Sequence, residues 1–124
     1  DELDRLLKAL GAEVIDFPLK THCCGGHMTQ ISPTTAFELI RRLIQSADQY
    51  QADLMVTVCP MCQMNLDLRQ KQLGRTAGAN FEIPVLYFTQ LMGFAMGLPE
   101  SKLGLDKLCV SPSLLLSKAL AAAS

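Results

Sequence analysis

The stretch Leu54-Met55-Val56-Thr57-Val58-Cys59-Pro60-Met61-Cys62 joins a short apolar run to two closely spaced cysteines. The run is nearly continuous and contains β-branched residues, which is typical of a parallel strand covered on both faces. Cys59-Pro60 ends the run, and a proline in a first turn favours the start of a helix, which we expect to continue to about Leu73. The stretch therefore predicts a strand followed directly by a helix, with cysteines at the junction.

Similar elements are predicted on both sides of this stretch. Before it we expect a helix over Asp1–Leu10, a strand over Glu13–Phe17, a loop over Leu19–Ser32 and a helix from Pro33 to about Tyr50. After it we expect a polar connection over Gly74–Asn80, a strand over Ile83–Tyr87, a helix over Thr89–Gly97, an irregular turn over Pro99–Lys107 and a helix through Leu114–Ala121. The pairs Ser32-Pro33 and Ser111-Pro112 are both helix-start signals, with a capping hydroxyl before the proline. This alternation predicts a single α/β domain over residues 1–124, a small three-layer Rossmann-like fold whose short parallel β-sheet is flanked by helices.

Composition narrows the classes of function. The chain has 124 residues, 49% of them hydrophobic and 19% charged, which suits one globular domain. Its formal charge of −1, with dispersed Lys and Arg, argues against nucleic-acid binding. Its apolar stretches, Val85–Leu98 and Leu114–Ala123, are shorter than the roughly 18 residues of a membrane span. The chain opens with an acidic helical start rather than a secretory signal, so a cytoplasmic location is expected.

Four of the five cysteines form two pairs, Cys23-Cys24 and Cys59-x-x-Cys62. An odd number of cysteines in a chain without secretory features favours metal or redox chemistry over a disulfide framework. Each pair follows a predicted strand, and the carboxyl ends of parallel strands meet at one edge of a sheet, so the pairs should form one site. We also expect the helix N-terminus to lower the pKa of Cys62, and Gly25-Gly26 to let backbone N–H groups approach sulfur closely.

Three kinds of site are compatible with cysteine pairs. A C-x-x-C motif alone fits a thioredoxin-like redox pair, but that interpretation leaves Cys23-Cys24 unexplained. Structural zinc sites generally separate paired cysteines by two to four residues, and adjacent cysteines reach one tetrahedral ion only with difficulty. A larger cluster has several metal atoms to reach, so an iron–sulfur cluster is favoured and zinc is the alternative.

Other residues near the pairs have simpler interpretations. His22 and His27 flank Cys23-Cys24, and the first interpretation is two loop histidines making ordinary hydrogen bonds. A role as proton donor or ligand is the second. Cys109 stands alone between Leu108 and Val110, where a small buried hydrophobic side chain is expected.

The motif combination strongly resembles the cysteine-rich CCG domain found in the B subunit of heterodisulfide reductase. The resemblance is carried by Cys23-Cys24-Gly25-Gly26 and Cys59-Pro60-Met61-Cys62, and it extends over nearly the whole chain through Gly11–Pro18, Cys62–Asp67, Pro84–Leu91, Leu103–Asp106 and Val110–Pro112. The resemblance implies an iron–sulfur subunit of an oxidoreductase that delivers electrons for the reductive cleavage of a disulfide substrate. It also implies two partners, the iron–sulfur C subunit together with the flavin A subunit, through which the protein could associate with a membrane.

Related domains suggest an alternative function. They occur in the iron–sulfur electron-transfer subunits of glycolate and lactate oxidation systems and of some succinate or fumarate reductases. This chain could serve such a dehydrogenase instead of a disulfide reductase.

The family pattern also implies a ligand set. Members bind a non-cubane 4Fe–4S cluster through a single cysteine, a vicinal pair and a C-x-x-C motif. Cys23, Cys24, Cys59 and Cys62 match the last four of these five positions, whereas none of the residues before Cys23 is a cysteine. We therefore expect the chain to be a C-terminal fragment of a longer subunit, with an incomplete site and no activity by itself.

Overall fold

Helices dominate the computed structural model, which describes residues 1–123. The helices are α1 (Glu2–Ala9), α2 (Pro33–Gln49), α3 (Pro60–Ala77), α4 (Phe88–Ala95), α5 (Glu100–Leu103) and α6 (Ser113–Ala123), and the strands are β1 (Met55–Thr57) and β2 (Val85–Tyr87). Single 3-10 turns lie at Gly26–Met28 and Leu105–Lys107. None of the described helices is long and apolar enough to cross a membrane.

The two strands form a parallel sheet joined by α3. Their register pairs Met55 with Val85, Val56 with Leu86 and Thr57 with Tyr87. Val85 and Leu86 are both completely buried, and neighbouring residues of a strand point to opposite faces. Both faces of the sheet are therefore covered.

Each face has its own hydrophobic core. Val85 packs in a cluster that contains residues of α2, α3, the cysteine loop and the connection between α3 and β2, namely Cys24, Ile40, Leu43, Ile44, Leu66, Leu73 and Phe81. On the other face, Leu86 packs with Leu105 of the second 3-10 turn and Leu116 of α6, and α4 contributes Leu91 and Phe94. The predicted small α/β domain, with helices on both sides of a short parallel sheet, is confirmed.

The predicted strand over Glu13–Phe17 is wrong. Residues 12–17 have no regular secondary structure, and β1 pairs only with β2 among the described residues. The segment and β1 both line a groove of about 1130 Å³, so open space separates them where a third strand would hydrogen-bond. Apolar, β-branched residues fit a strand, but without a bonded neighbour they do not form one.

Most element ends lie within two residues of the predicted ones, and two regions differ more. Helix α3 continues through Gly74 to Ala77, beyond the expected end at Leu73, and stops where Gly78 adopts a left-handed φ of 67°. A Cβ on Gly74 would lie 2.5 Å from the carbonyl oxygen of Ala79, so this glycine permits a close return of the chain. The region predicted as an irregular turn over Pro99–Lys107 contains α5 and the second 3-10 turn.

The two serine-proline signals mark helix starts as predicted, but the hydroxyls behave differently. Helix α2 begins at Pro33, yet Ser32 makes no capping bond to a backbone N–H and contacts the hydroxyl of Thr35 at 2.9 Å. Ser111 accepts a hydrogen bond from the backbone N–H of Ser113, the first residue of α6, at 3.3 Å. Only the second serine therefore accepts a backbone N–H at the start of its helix, and it does so from the position before Pro112.

Candidate metal centre

The first turn of α3 carries two thiols at the carboxyl end of β1. Cys59 is the N-cap residue, with an extended backbone, and Pro60 is the first helical residue. The thiols of Cys59 and Cys62 lie within hydrogen-bonding reach of each other. The change from strand to helix therefore positions both side chains at one end of the sheet.

A third thiol reaches this pair from the loop before α2. Cys24 is 2% exposed, and both its thiol and its backbone N–H lie close enough to the sulfur of Cys62 to affect the pKa of that thiol. Gly25 next to it has a left-handed φ of 73°, a conformation that glycine adopts without strain and that turns the chain toward α3. The structure thus brings Cys24, Cys59 and Cys62 together, with Cys62 in the middle.

Cys23 lies at the edge of this group. Its side chain is exposed, and its sulfur accepts the backbone N–H of Gly25 at 3.3 Å, so the thiol is held on its own turn. Within residues 1–123, no group of three or more His, Cys, Asp or Glu side chains is arranged to hold a metal ion.

The thiols of the C-x-x-C motif differ in acidity. Backbone N–H groups of Cys62 and Met61 point at the sulfur of Cys59 and lower the pKa of that thiol. Burial, together with hydrogen bonding to Cys24, raises the pKa of Cys62 to about 12. The prediction that the helix N-terminus lowers the pKa of Cys62 is therefore wrong, because the N–H groups of the first turn converge on the N-cap residue while Cys62 packs against the core.

The two histidines occupy different surroundings. Both are exposed. His22 lines the 1130 Å³ groove together with Cys24, Cys59 and Cys62, whereas His27 lies in the 3-10 turn and does not line that groove. Of the two, His22 is therefore nearer to the route by which a molecule in the groove would reach the thiols.

Cys109 is not the buried residue that the sequence predicts. Its side chain is exposed, whereas its backbone is held by a hydrogen bond. The N–H groups of Cys109 and Val110 donate to the two carboxylate oxygens of Asp67 at 2.8 and 2.9 Å. The apolar neighbours suggest burial, but the hydrogen bonds to α3 fix the loop with the thiol outward.

Asn65 adjoins the cysteines, although no sequence motif assigns it a role. It is 4% exposed and follows Cys62 by three residues, which places both on one face of α3. A Cβ on Gly26 would lie 2.5 Å from the Nδ2 atom of Asn65 and 3.5 Å from the sulfur of Cys24. That helical spacing from a predicted ligand is the signal that could have identified it.

Several known proteins are similar in sequence to this chain. The chain is 37% identical over 103 residues to the 8-methylmenaquinol:fumarate reductase membrane anchor subunit of Wolinella succinogenes, covering 83% of this chain and 36% of that protein. It is 35% identical over 113 residues to a protein of Archaeoglobus profundus named as similar to the B subunit of heterodisulfide reductase, covering 89% and 37%. It is 29% identical over 106 residues to the B subunit of the ferredoxin/F(420)H(2)-dependent CoB-CoM heterodisulfide reductase of Methanosarcina acetivorans, covering 84% and 35%.

These alignments cover most of this chain, which spans a little over a third of the length of these relatives. The family described as "Cysteine-rich domain", CCG, matches residues 1–67, a range that includes Cys23-Cys24 and Cys59-x-x-Cys62. The match confirms the resemblance carried by the two motifs, and the chain belongs to the CCG cysteine-rich domain family.

Proposed function

We propose that this chain is the cluster-binding domain of an iron–sulfur subunit in a heterodisulfide reductase-type oxidoreductase. Its role is to pass electrons to a disulfide substrate at a 4Fe–4S cluster held by Cys23, Cys24, Cys59 and Cys62. The observation that carries the proposal is the contact of Cys62 with both Cys24 and Cys59. Relatives named for the B subunit of heterodisulfide reductase, at 29–35% identity, support the disulfide as substrate.

The chemistry of the donor set fits an iron–sulfur cluster. Thiolates are the ordinary ligands of such clusters, and N–H groups directed at their sulfurs tune the reduction potential. Two backbone N–H groups point at Cys59, and one points at Cys23. When bound, the cluster would accept and release single electrons and offer iron as a Lewis acid.

Cys23 completes the proposed set from the exposed side. It is adjacent in sequence to Cys24, and the left-handed Gly25 that follows gives the turn freedom to re-aim the exposed thiol. The more deeply placed thiols would hold the inner side of the cluster, and Cys23 would hold the side nearest to solvent.

Partner subunits belong to the same proposal. The relatives are named as subunits of larger enzymes, so we propose that the iron–sulfur C subunit, together with the flavin A subunit, donates electrons to this domain. Attachment to a membrane through partners is included, because one relative is named a membrane anchor subunit. His22, which lines the groove beside the thiols, is the proposed proton donor to a departing thiolate.

A second function is favoured by one specific relative. The 37% identity to the fumarate reductase anchor subunit supports an electron relay that serves a dehydrogenase or fumarate reductase, without any disulfide substrate. Both functions use the same cluster. They differ in whether a disulfide binds beside it.

Metal analysis of the full-length protein purified without oxygen tests the cluster. We expect iron and acid-labile sulfide in near-equal amounts, with visible absorption that bleaches on reduction. Separate serine replacements of Cys24, Cys59 and Cys62 should abolish the absorption. Cys109→Ser is the matched control and should keep it, because this exposed thiol is held away from the site by the bonds to Asp67.

Stoichiometric zinc without iron would contradict the cluster and favour a structural zinc module, whose removal by chelators should unfold the protein. If iron is present, reduction of a thiol disulfide by the chemically reduced protein separates the two cluster functions. Turnover of the disulfide supports the first function. A cluster that transfers electrons but leaves every disulfide intact supports the relay.

A further inference from the structure

Asn65 carries an unpartnered amide beside the proposed cluster site. Only 4% of the residue is exposed, and it shares a face of α3 with Met61 and Cys62. None of the side-chain hydrogen bonds found among the described residues involves this amide, although an amide so placed ordinarily has partners. Every fully enclosed side-chain nitrogen or oxygen of the described residues has a partner, so the small exposed part of Asn65 includes its amide. The amide is therefore nearly buried and still open to a bound group.

The space around the amide is shared with Cys24 and Gly26. A Cβ at position 26 would lie 2.5 Å from Nδ2 of Asn65 and 3.5 Å from the sulfur of Cys24. The amide and the thiol therefore border the same point in the structure. The absence of a side chain at Gly26 is what leaves the space between them clear.

We infer that Asn65 is a positioning residue for the cluster, donating a side-chain N–H to the sulfur of Cys24. The inference rests on the proposed function. An amide is suited to this role because it adds a donor without adding charge, and a hydrogen bond in a poorly hydrated interior is stronger than in water. Donation to a ligand thiolate withdraws electron density from the sulfur, which favours the reduced cluster and raises its reduction potential.

The role also explains why the amide has no partner among the described residues. A neutral thiol is a weak acceptor, whereas a thiolate bound to iron is a strong one. The donor is thus placed in advance beside the atom that acquires negative charge. No reorganisation of α3 is then needed when the cluster binds.

The test is the midpoint potential of the cluster in the full-length protein. Asn65→Leu keeps the volume and removes the donor, so we expect the potential to shift to a more negative value. Asn65→Asp replaces the donor by a negative charge and should shift it further in the same direction. Asn80→Leu is the matched control at an exposed asparagine, and its potential should equal that of the unchanged protein.

Asn65→Ser, which is smaller but still a donor, guards against loss of the fold. With the cluster bound, its potential should lie between those of the unchanged protein and Asn65→Leu. Equal potentials in Asn65→Leu and the unchanged protein would overturn the inference while leaving the proposed function intact. Absence of any cluster from the unchanged protein would overturn the proposed function, and the inference with it.

Discussion

Two amides on α3, those of Gln70 and Asn65, lie little more than one helical turn apart and have opposite surroundings. The Gln70 amide donates to the carbonyl oxygens of Leu66 and Ile83 at 3.1 and 2.6 Å, and it accepts the N–H of Ile83 at 2.8 Å. The Asn65 amide has no such partner among the described residues and borders Cys24 across Gly26 instead.

The difference separates the two roles of one helix. Near its middle, α3 stabilises the fold, because Gln70 supplies the hydrogen bonds that the chain entering β2 would otherwise lack. In its first turns, the same helix presents the Cys62 thiol and the unpartnered Asn65 amide, which we propose to face a bound cluster. The satisfied amide of Gln70 therefore stabilises the fold, whereas the unsatisfied amide of Asn65 is the one for which we propose a functional role.

Removing the satisfied amide should have the largest effect on stability. Gln70→Ala leaves the N–H and carbonyl oxygen of Ile83 buried without partners, at a cost of roughly 3 kcal/mol in the free energy of unfolding. Urea unfolding followed by circular dichroism would measure the loss. Gln72→Ala, two residues away and exposed, is the control and should stay within about 0.5 kcal/mol. Equal losses of stability in Gln70→Ala and Gln72→Ala would show that the hydrogen bonds of Gln70 do not stabilise the fold.

Removing the carboxylate of Asp67, which lies between the two amides in the sequence, should have the second largest effect on stability. Asp67→Ala removes the acceptors for the N–H groups of Cys109 and Val110, and we expect a loss of about 2 kcal/mol, since hydrogen bonds to a charged group are stronger than neutral ones. The released loop should also become sensitive to proteases ahead of α6. Unchanged unfolding and unchanged cleavage would show that these bonds contribute nothing.

A methyl group at position 26 should have a smaller effect on stability. It should perturb only the proposed cluster site, beside Asn65 and Cys24. In Gly26→Ala the new Cβ must displace the Asn65 side chain, with a cost of about 1 kcal/mol for the strain. The same unfolding assay applies, together with the potential of the bound cluster. Gly97→Ala does not crowd any neighbour within 4 Å, although its φ of 90° is strained, so only Gly26→Ala should alter the potential.

The difference in pKa between the thiols should be measurable in the unchanged protein, without any substitution that alters its stability. In reduced, metal-free protein, iodoacetamide reacts with thiolates, and the lowered pKa of Cys59 makes this residue reactive at a lower pH than Cys62. Cys62, with a pKa of about 12, should resist until the solution is strongly alkaline. Mass spectrometry after labelling across a pH series gives the order. Labelling of Cys62 before Cys59 would contradict it.

Local patterns predict most of the elements and the meeting of the two cysteine pairs, because first-turn prolines, apolar runs and the strand-end position of Cys59 are properties of neighbouring residues. The structure brings three of these four cysteines together and leaves Cys23 exposed at the edge.

Local patterns fail where a distant residue decides. Glu13–Phe17 has a strand pattern but pairs with no neighbouring strand among the described residues. Cys62 lies in the first turn of a helix, a position that favours a lowered thiol pKa, but burial raises its pKa instead. The spacing of Asn65 from Cys62 is visible in the sequence, but only the folded chain shows that Gly26 and Cys24 lie beside its amide.

Only one side of β1 is paired with β2, so its backbone N–H groups should not all exchange with solvent at the same rate. Successive N–H groups of a strand point alternately to its two sides, and that of Met55 donates to Pro84 beside β2 at 2.9 Å. The N–H of Val56 therefore points away from β2, toward the groove. In deuterated water, Val56 should lose its hydrogen far sooner than the residues on either side, so that one short strand exchanges at two different rates.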